Sequence, residues 1–222
     1  MKKVLVVAVH PDDETLGCGG TLLRHKDNGD QTHWLILTTM TAEAGFSAGA
    51  IERRDLEIQQ VAGQYGFQDR FSLGLPTTSL DRVPFNSLVS KIAKVFHTVK
   101  PQVIYLPFKG DVHTDHKIAF EAAFSCLKSF RAPFVERVLM METPSETEFA
   151  PPLGESVFCP NVFVDISAYM EAKTDIMGIY TSEVETAPSP RSFNTLKALA
   201  TYRGATCGKR YAEAFMLLKE II

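Results

Sequence analysis

Residues 4–14 read VLVVAVHPDDE, an apolar run that passes directly into histidine, proline and three acidic residues. Val4 to Val9 is continuously apolar and rich in β-branched side chains, which is typical of a strand buried on both faces of a parallel sheet. Pro11 ends the strand, because proline lacks the N–H group that a central strand donates. The pattern becomes helical from Thr15 to about Asn28. The sequence therefore predicts a buried strand, a polar turn and a helix.

The rest of the chain repeats this alternation of apolar strands and amphipathic helices. Strands are predicted at 32–39, 71–75, 102–106, 137–142 and 162–166, and helices at 51–65, 85–99, 115–129, 168–178 and 192–202. Such alternation builds βαβ units, which bury a parallel sheet between helices. We therefore expect one α/β domain over residues 1–222, with a largely parallel sheet and helices on both faces. Residues 144–160 are rich in proline and acidic side chains and are expected to form a surface excursion.

The composition gives no sign of a nucleic-acid-binding, membrane-bound or secreted protein. The 222 residues carry a net charge of −3, which gives no electrostatic reason to expect nucleic acid or an anionic membrane as a partner. No apolar run approaches the roughly 18 residues that cross a bilayer, and the first one ends at His10, too early for a signal peptide. The four cysteines form no CxxC pair, which favours free thiols. We expect a cytoplasmic protein without a membrane span.

The first cluster of chemically active residues is His10-Pro11-Asp12-Asp13-Glu14. His10 and Asp13 stand three apart across a turn, so that an imidazole and a carboxylate can converge on one metal ion. Asp12 and Asp13 are adjacent carboxylates that would repel each other in a cleft without a cation. A simple helix start explains Glu14 and one aspartate, but not the histidine. The glycines at 17, 19 and 20 come too late for a dinucleotide loop and favour close packing of helix on sheet.

The second cluster is His113-Thr114-Asp115-His116, which follows the strand predicted at 102–106. Strand ends of a parallel sheet lie at one edge, so this cluster is expected near His10. A catalytic zinc commonly has three protein ligands, and His116 is the better third one because it projects from a helix start. His113 is then left with Asp115 as a carboxylate partner, and a protonated His113 would stabilise an oxyanion or protonate a leaving amine.

Together, VHPDDE at 9–14 and HTDH at 113–116 resemble the LmbE-like, PIG-L-type family of zinc-dependent N-acetylglucosaminyl deacetylases. Weaker matches are a TxxE-like loop at 39–43, RDLE at 54–57 and RGATCGKRYAEAF at 203–215. The resemblance spans nearly the whole chain and implies a Rossmann-like fold. Members of the family often form oligomers, so a homo-oligomer is possible, although no exposed apolar stripe in the sequence indicates one.

The resemblance also implies roles for individual residues. One zinc ion per chain would be held by His10, Asp13 and His116. Asp12 would be the general base, and His113, supported by Asp115, would stabilise the oxyanion or act as an acid. Arg54 would face the substrate, although a solvated helix charge or an ion pair with Glu57 is the alternative. Glu213 is expected to have a structural role near the site.

The resulting hypothesis is a zinc-dependent hydrolase that removes the acetyl group from a small-molecule N-acetylated sugar. Three alternatives stay open: a two-metal phosphoesterase, a deacylase of a non-sugar N-acyl amine, and a non-catalytic metal- or nucleotide-binding module. The phosphoesterase would need more converging carboxylates than the motifs supply. Salt bridges at helix ends are the expected role of Arg191 and Arg203, and contact with an anionic group on the substrate is the alternative. His25, His33 and His97 are expected to be surface or packing residues.

Overall fold

The computed structural model describes residues 1–222, in which seven strands alternate with six α-helices. The strands are β1 (Lys3–Ala8), β2 (Gln31–Thr39), β3 (Asp69–Pro76), β4 (Val103–Leu106), β5 (Arg137–Met141), β6 (Val162–Asp165) and β7 (Ala212–Glu220). The helices are α1 (Asp13–Asp27), α2 (Ala48–Tyr65), α3 (Phe85–Val99), α4 (Thr114–Ser125), α5 (Met170–Met177) and α6 (Phe193–Cys207). Short 3₁₀ turns occupy Leu80–Arg82 and Gly154–Ser156.

All seven strands form one sheet in the order β3-β2-β1-β4-β5-β7-β6. Strands β3, β2, β1, β4 and β5 are parallel, and β7 runs antiparallel to both of its neighbours. The chain moves outward from β1 in one direction to β2 and β3, and later in the other direction from β4 to β5. A crevice opens beyond the carboxyl ends of β1 and β4, where this direction changes, and open α/β sheets bind ligands at such crevices.

The two faces of the sheet bury separate apolar clusters. Side chains of β1 alternate between them, with Val4, Val6 and Ala8 on one face and Leu5 and Val7 on the other. Helices α1, α2, α5 and α6 cover the first face, and α3 and α4 cover the second. This double coverage explains why the buried residues 4–8 of β1 are all apolar, and it confirms the predicted α/β fold with helices on both faces.

Helix α1 is broken at Cys18, whose φ of −147° and ψ of 22° are not helical. A break inside a buried helix leaves backbone groups without intrahelical partners. The buried ion pair of Lys173 and Glu213 supplies hydrogen-bond partners for these backbone groups. Glu213 accepts hydrogen bonds from the N–H groups of Gly20 and Thr21 at 2.9 and 2.7 Å. Lys173 donates from Nζ to Glu213 at 2.7 Å and to the Leu16 carbonyl at 2.9 Å.

The glycines near this break allow close approach of the helix to its neighbours. A Cβ atom on Gly19 would lie 2.5 Å from the Tyr65 hydroxyl, and one on Gly20 would lie 2.7 Å from Ile166 Cγ2. Both distances are far below van der Waals contact, so larger residues would push α1 off the sheet. The packing interpretation of these glycines is therefore confirmed.

Two features of the fold differ from the sequence-based expectation. Strand β7 was not predicted. It lies between β5 and β6 in the sheet, and Glu213 is its second residue. The expected surface excursion at 144–160 begins later than predicted, because Glu146 and Thr147 are buried beside the crevice. All four cysteines are free, as expected, and Arg203 forms the expected salt bridge, with Glu142. None of the helices combines the length and apolarity that crossing a membrane requires.

Removing one member of the Lys173–Glu213 pair is expected to destabilise the fold strongly. Glu213→Gln leaves a buried ammonium without its counter-charge, and losses of this kind cost about 3–5 kcal/mol in the free energy of unfolding. Urea denaturation of Glu213→Gln, Lys173→Met and the double variant measures this, with the double variant less destabilised than the sum of the two. Glu136→Gln, which breaks the exposed pair with Lys2, is the control and should leave the midpoint unchanged. Additive losses would contradict the coupling.

Candidate metal centre and cleft

Three potential metal ligands meet at the crevice between β1 and β4. His10 follows β1, Asp13 begins α1, and His116 lies in the first turn of α4. One ligand atom from each lies within 4.8 Å of the other two. Asp13 Oδ2 is 3.4 Å from His116 Nε2 and 3.9 Å from His10 Nδ1. The two sequence motifs, about a hundred residues apart in the chain, are therefore neighbours in the structure.

Asp13 is fixed by the backbone of the turn that precedes it. Its Oδ2 accepts hydrogen bonds from the N–H groups of Val9 and His10, both at 2.8 Å. Burial by itself would raise the pKa of Asp13, but His116 and His10 outweigh burial and hold this pKa well below its usual range. The carboxylate is thus ionised and aimed at the space between the two imidazoles.

Each of the two histidines has a carboxylate behind it. Asp111 Oδ2 lies 2.8 Å from His116 Nδ1, and its other oxygen accepts a hydrogen bond from Thr147 at 2.6 Å. Asp115 Oδ2 lies 3.4 Å from His10 Nε2, and its other oxygen accepts from the Leu80 N–H at 3.0 Å. A carboxylate in this position orients a ligating imidazole and raises its basicity.

The donor set passes a test of fit for a metal ion. His116 Nε2 is buried and makes no hydrogen bond, although it points at the shared space. Burial lowers the pKa of His116, but Asp13 and Asp111 raise it well above its usual value, which shows how strongly the site attracts positive charge. Two imidazole nitrogens and one carboxylate oxygen are ligands that zinc accepts, with a coordination position left for water.

Asp12 lies beside this set and faces the cleft rather than joining it. Its backbone has a φ of 135°, which is strained for a residue with a side chain. The Asp12 N–H donates to Glu14 Oε2 at 3.1 Å, and Tyr180 donates to the other oxygen of Glu14 at 2.8 Å. Burial and then Asp13 raise the pKa of Asp12 well above its usual range, while Arg191 opposes them. A carboxylate with a raised pKa is a better proton acceptor.

His113 stands across the cleft, with its ring centroid 4.6 Å from that of His10. Its Nδ1 accepts a hydrogen bond from the backbone N–H of Asp115 at 3.1 Å. Burial, and then His10 and His116, lower the pKa of His113 to about 4, so the ring is neutral near pH 7. A neutral ring whose Nδ1 accepts must carry its proton on Nε2, which is then the donor.

Two predicted details are therefore wrong. The carboxylate of Asp115 pairs with His10 and not with His113, because α4 turns the side chain toward the end of β1. His113 is not protonated near neutral pH, because two other imidazoles and burial oppose a further positive charge. It keeps its ability to donate a hydrogen bond from Nε2.

The cleft that His10 and Asp12 border has a volume of about 220 Å³ and is lined mainly by polar side chains. Arg54 borders it, but only 6% of its side chain is exposed. The expected ion pair with Glu57 is present, because Arg54 Nε donates to Glu57 at 3.1 Å, and Nη2 donates to Glu183 as well. Arg191 donates to Glu183 as well and lies 3.5 Å from Asp12 Oδ2. A contact of Arg54 with substrate stays a prediction.

Several residues of the site were missed by sequence reasoning: Asp111, Glu146, Glu183 and the cleft position of Arg191. Asp111 stands five residues before His116 in a predicted polar loop, and that spacing was the available signal. The other three come from loops after β5 and α5, and they have no local motif. His25, His33 and His97 lie outside the cleft, as expected.

Comparison with known proteins agrees with this geometry. The family described as PIG-L, GlcNAc-PI de-N-acetylase, matches residues 5–127, which is more than half of the chain and includes both motifs. The chain belongs to the PIG-L family. The matched range ends before β5, so it contains the three candidate metal ligands, and the remaining part of the chain contributes Glu146, Glu183 and Arg191 to the cleft.

Individual relatives of this PIG-L chain cover most of its length. The diacetylchitobiose deacetylase of Thermococcus kodakarensis is 28% identical over 236 residues, covering 100% of this chain and 85% of that protein. A probable N-acetyl-α-D-glucosaminyl L-malate deacetylase 2 of Bacillus cereus is 25% identical over 193 residues, covering 83% and 84%. The crystal structure of the conserved protein TT1542 from Thermus thermophilus shares 31% identity with a TM-score of 0.79, covering 100% and 97%.

Asp111→Asn is expected to weaken zinc binding without unfolding the protein. The amide is a poorer acceptor for the Nδ1 proton of His116, so the ligating ring becomes less basic, and changes of this kind cost roughly 10–100-fold in metal affinity. Competition with a chromogenic chelator measures the dissociation constant of Zn²⁺. Asp55→Asn, on the exposed side of α2, is the matched control and should bind zinc as the unmodified protein does. Equal affinities of the two variants would remove Asp111 from the site.

Proposed function

We propose that the protein is a zinc-dependent N-deacetylase that hydrolyses the acetamido group of an N-acetylglucosamine-type sugar. The observation that carries this proposal is the position of Asp12, which faces the cleft beside the His10–Asp13–His116 set without belonging to it. A proton acceptor next to a hydrolytic metal is what amide hydrolysis needs. The relatives named as deacetylases of acetylated amino sugars support the same reaction.

Zinc would be held by His10, Asp13 and His116, and when bound it would supply Lewis acidity that polarises a carbonyl and makes water more acidic. Asp12 takes the proton from the attacking water, because its raised pKa favours proton uptake. The strained backbone that aims Asp12 into the cleft is held by Glu14, whose own carboxylate is fixed by Tyr180.

His113 acts on the other side of the acetamido group. Its neutral ring donates from Nε2 to the oxygen that becomes negative when the carbonyl carbon is attacked, and one such donor is worth about 3–4 kcal/mol of transition-state stabilisation. The departing amine needs a proton, and Asp12 returns to it the proton that was taken from the water. The products are acetate and a free amino sugar.

The character of the cleft supports a sugar over an apolar acyl amine as the substrate. Binding sites for drug-like ligands are lined mainly by apolar groups. Here the lining includes Thr38, Thr39 and Thr77 together with ionic side chains, and Met40 and Phe46 add a small apolar area. Hydroxyls and carboxylates around a cleft are suitable partners for the several hydroxyl groups of a pyranose ring.

Asp12→Asn is expected to keep its zinc and lose turnover. The variant has no proton acceptor at this position, and general base catalysis contributes roughly 10²–10⁴-fold. Acetate release from N,N′-diacetylchitobiose at saturating zinc measures kcat, and elemental analysis measures metal content. His116→Ala is the contrasting variant and should lose bound zinc together with activity. If Asp12→Asn retained nearly full activity, the base would have to be another group.

The protein is expected to bind one zinc ion per chain and to release acetate but not phosphate. The second potential ligand group, His10–His113–Asp115, shares His10 with the first, so the two cannot be filled independently. Elemental analysis after purification counts the metal, and parallel assays on acetamido sugars, acetylated amino acids and phosphate monoesters identify the reaction. Two metal ions together with phosphate release would instead support the phosphoesterase alternative. Loss of acetate release on chelation and its return with Zn²⁺ would establish metal dependence.

A further inference from the structure

Glu183 joins the two arginines that border the cleft. Its Oε1 accepts a hydrogen bond from Arg54 Nη2, and its Oε2 accepts another from Arg191 Nη1. Each carboxylate oxygen thus serves one guanidinium. Only 18% of the Glu183 side chain is exposed, so solvent ions screen these pairs less than they would at an open surface.

Three further N–H groups of Arg54 are also in use. Nε donates to Glu57 at 3.1 Å, Nη1 donates to the Pro11 carbonyl at 2.9 Å, and Nη2 donates to Ser182 Oγ at 2.8 Å. The guanidinium carbon lies 5.5 Å from the ring centre of Tyr180, which covers one face. Arg54 therefore cannot bind a substrate anion through two parallel hydrogen bonds without breaking contacts that it already makes.

Arg191 is surrounded by acceptors in the same way. Its Nε donates to Ser145 Oγ at 2.9 Å, Nη1 lies 3.5 Å from Asp12 Oδ2, and Nη2 lies 3.6 Å from Glu146 Oε1. Its side chain is 26% exposed, which places it at the open side of the cleft. The positive charge of Arg191 is shared among three carboxylates.

The ionic side chains of the cleft therefore leave no excess positive charge away from the metal ligands. Two arginines face three carboxylates, those of Asp12, Glu146 and Glu183, and no lysine lines the cleft. A phosphate or carboxylate on the substrate would meet arginines that are already neutralised and an additional acid. Desolvating such an anion without a free partner is unfavourable.

The contacts of Glu183 with Arg54 and Arg191 are fixed in the protein without a substrate, because further hydrogen bonds hold the loop that carries Glu183. Glu57, the second partner of Arg54, accepts hydrogen bonds from the Thr181 N–H at 3.0 Å and from the Thr181 hydroxyl at 2.7 Å. These bonds tie the loop that carries Glu183 to α2. A preorganised charge arrangement selects among ligands because it does not reorganise to suit each of them.

We propose that Glu183 is a specificity-determining residue, which neutralises Arg54 and Arg191 so that the cleft selects uncharged acetamido sugars over conjugates with an anionic group beside the sugar. The inference rests on the proposed deacetylase function and refines its substrate class. Glu183 is not assigned a role in the chemical step.

The test compares two substrates that share the acetamido sugar and differ in the group on the anomeric oxygen, which is an uncharged methyl group in methyl N-acetyl-α-glucosaminide and an anionic phosphate in N-acetyl-α-glucosamine 1-phosphate. With zinc-loaded protein, kcat/KM is expected to be at least about tenfold higher for the methyl glycoside. Glu183→Gln keeps the size of the side chain but releases one positive charge toward the cleft. It should lower the ratio of the two kcat/KM values, methyl glycoside over phosphate, by about tenfold. The change should come from a higher kcat/KM for the phosphate, and this increase should become smaller as the salt concentration is raised.

Two further variants separate charge selection from a structural effect. Glu185 lies in the same loop, is exposed and makes no ion pair, so the substrate ratio of Glu185→Gln should equal that of the unmodified protein. Glu146→Gln removes a cleft charge while leaving Glu183 on both arginines, and it should shift the ratio in the same direction by a smaller factor. If Glu183→Gln does not fold, the substrate ratio of Glu146→Gln tests the charge selection in its place.

The outcomes of this inference and of the proposed function are distinguishable. Turnover of the methyl glycoside combined with equal or better use of the phosphate overturns the charge selection alone, as does a Glu183→Gln variant with an unchanged ratio. If zinc-loaded protein deacetylates neither compound, the deacetylase proposal fails. Calorimetric dissociation constants of the same two compounds then decide the preference, and weaker binding of the phosphate, relieved in Glu183→Gln, would support it.

Discussion

The structure depends on holding several carboxylates together in a buried place at the end of one strand. Asp12 and Asp13 are neighbours in the chain, and Asp111 and Asp115 approach them from the start of α4 and the loop before it. Buried carboxylates are costly unless partners compensate them, typically by several kcal/mol for each uncompensated charge. The backbone N–H groups at the end of β1 hold Asp13, two imidazoles stand between the carboxylates, and a guanidinium approaches Asp12. A metal ion would supply the positive charge that these carboxylates still lack.

Sheet topology makes this concentration of charge possible. β1 and β4 are adjacent parallel strands whose chains continue in opposite directions across the sheet. Their carboxyl ends therefore open a crevice that no crossover helix fills. The first motif leaves β1 directly, whereas the second begins α4 after a loop, so His10 and His116 enter the crevice from two sides. The break in α1, satisfied by Lys173 and Glu213, lets the helix begin at Asp13 and still pack closely on the sheet.

The fold and the candidate metal ligands were accessible from the sequence because their causes are local. An uninterrupted apolar run predicts a strand covered on both faces, and HPDDE directly after it places ligands at the strand end. The arrangement of carboxylates behind the histidines was accessible only in part. Asp115 was recognised as a partner of an imidazole, but the choice between His10 and His113 depends on how α4 is rotated against β1. Strand β7 was missed because its antiparallel insertion between β5 and β6 depends on pairing with distant residues.

By itself, the sequence determined the α/β architecture, the family and the residues that could hold a metal, since strand periodicity and short motifs act over a few neighbouring positions. Only the tertiary structure decided what surrounds the metal ligands. Glu183 and Arg191 lie far along the chain from Asp12 and Arg54, in a segment whose composition indicates no more than a polar loop. Arg191 nevertheless comes within 3.5 Å of Asp12 and 3.6 Å of Glu146, and Coulomb interactions depend on separation in space and not on separation along the chain.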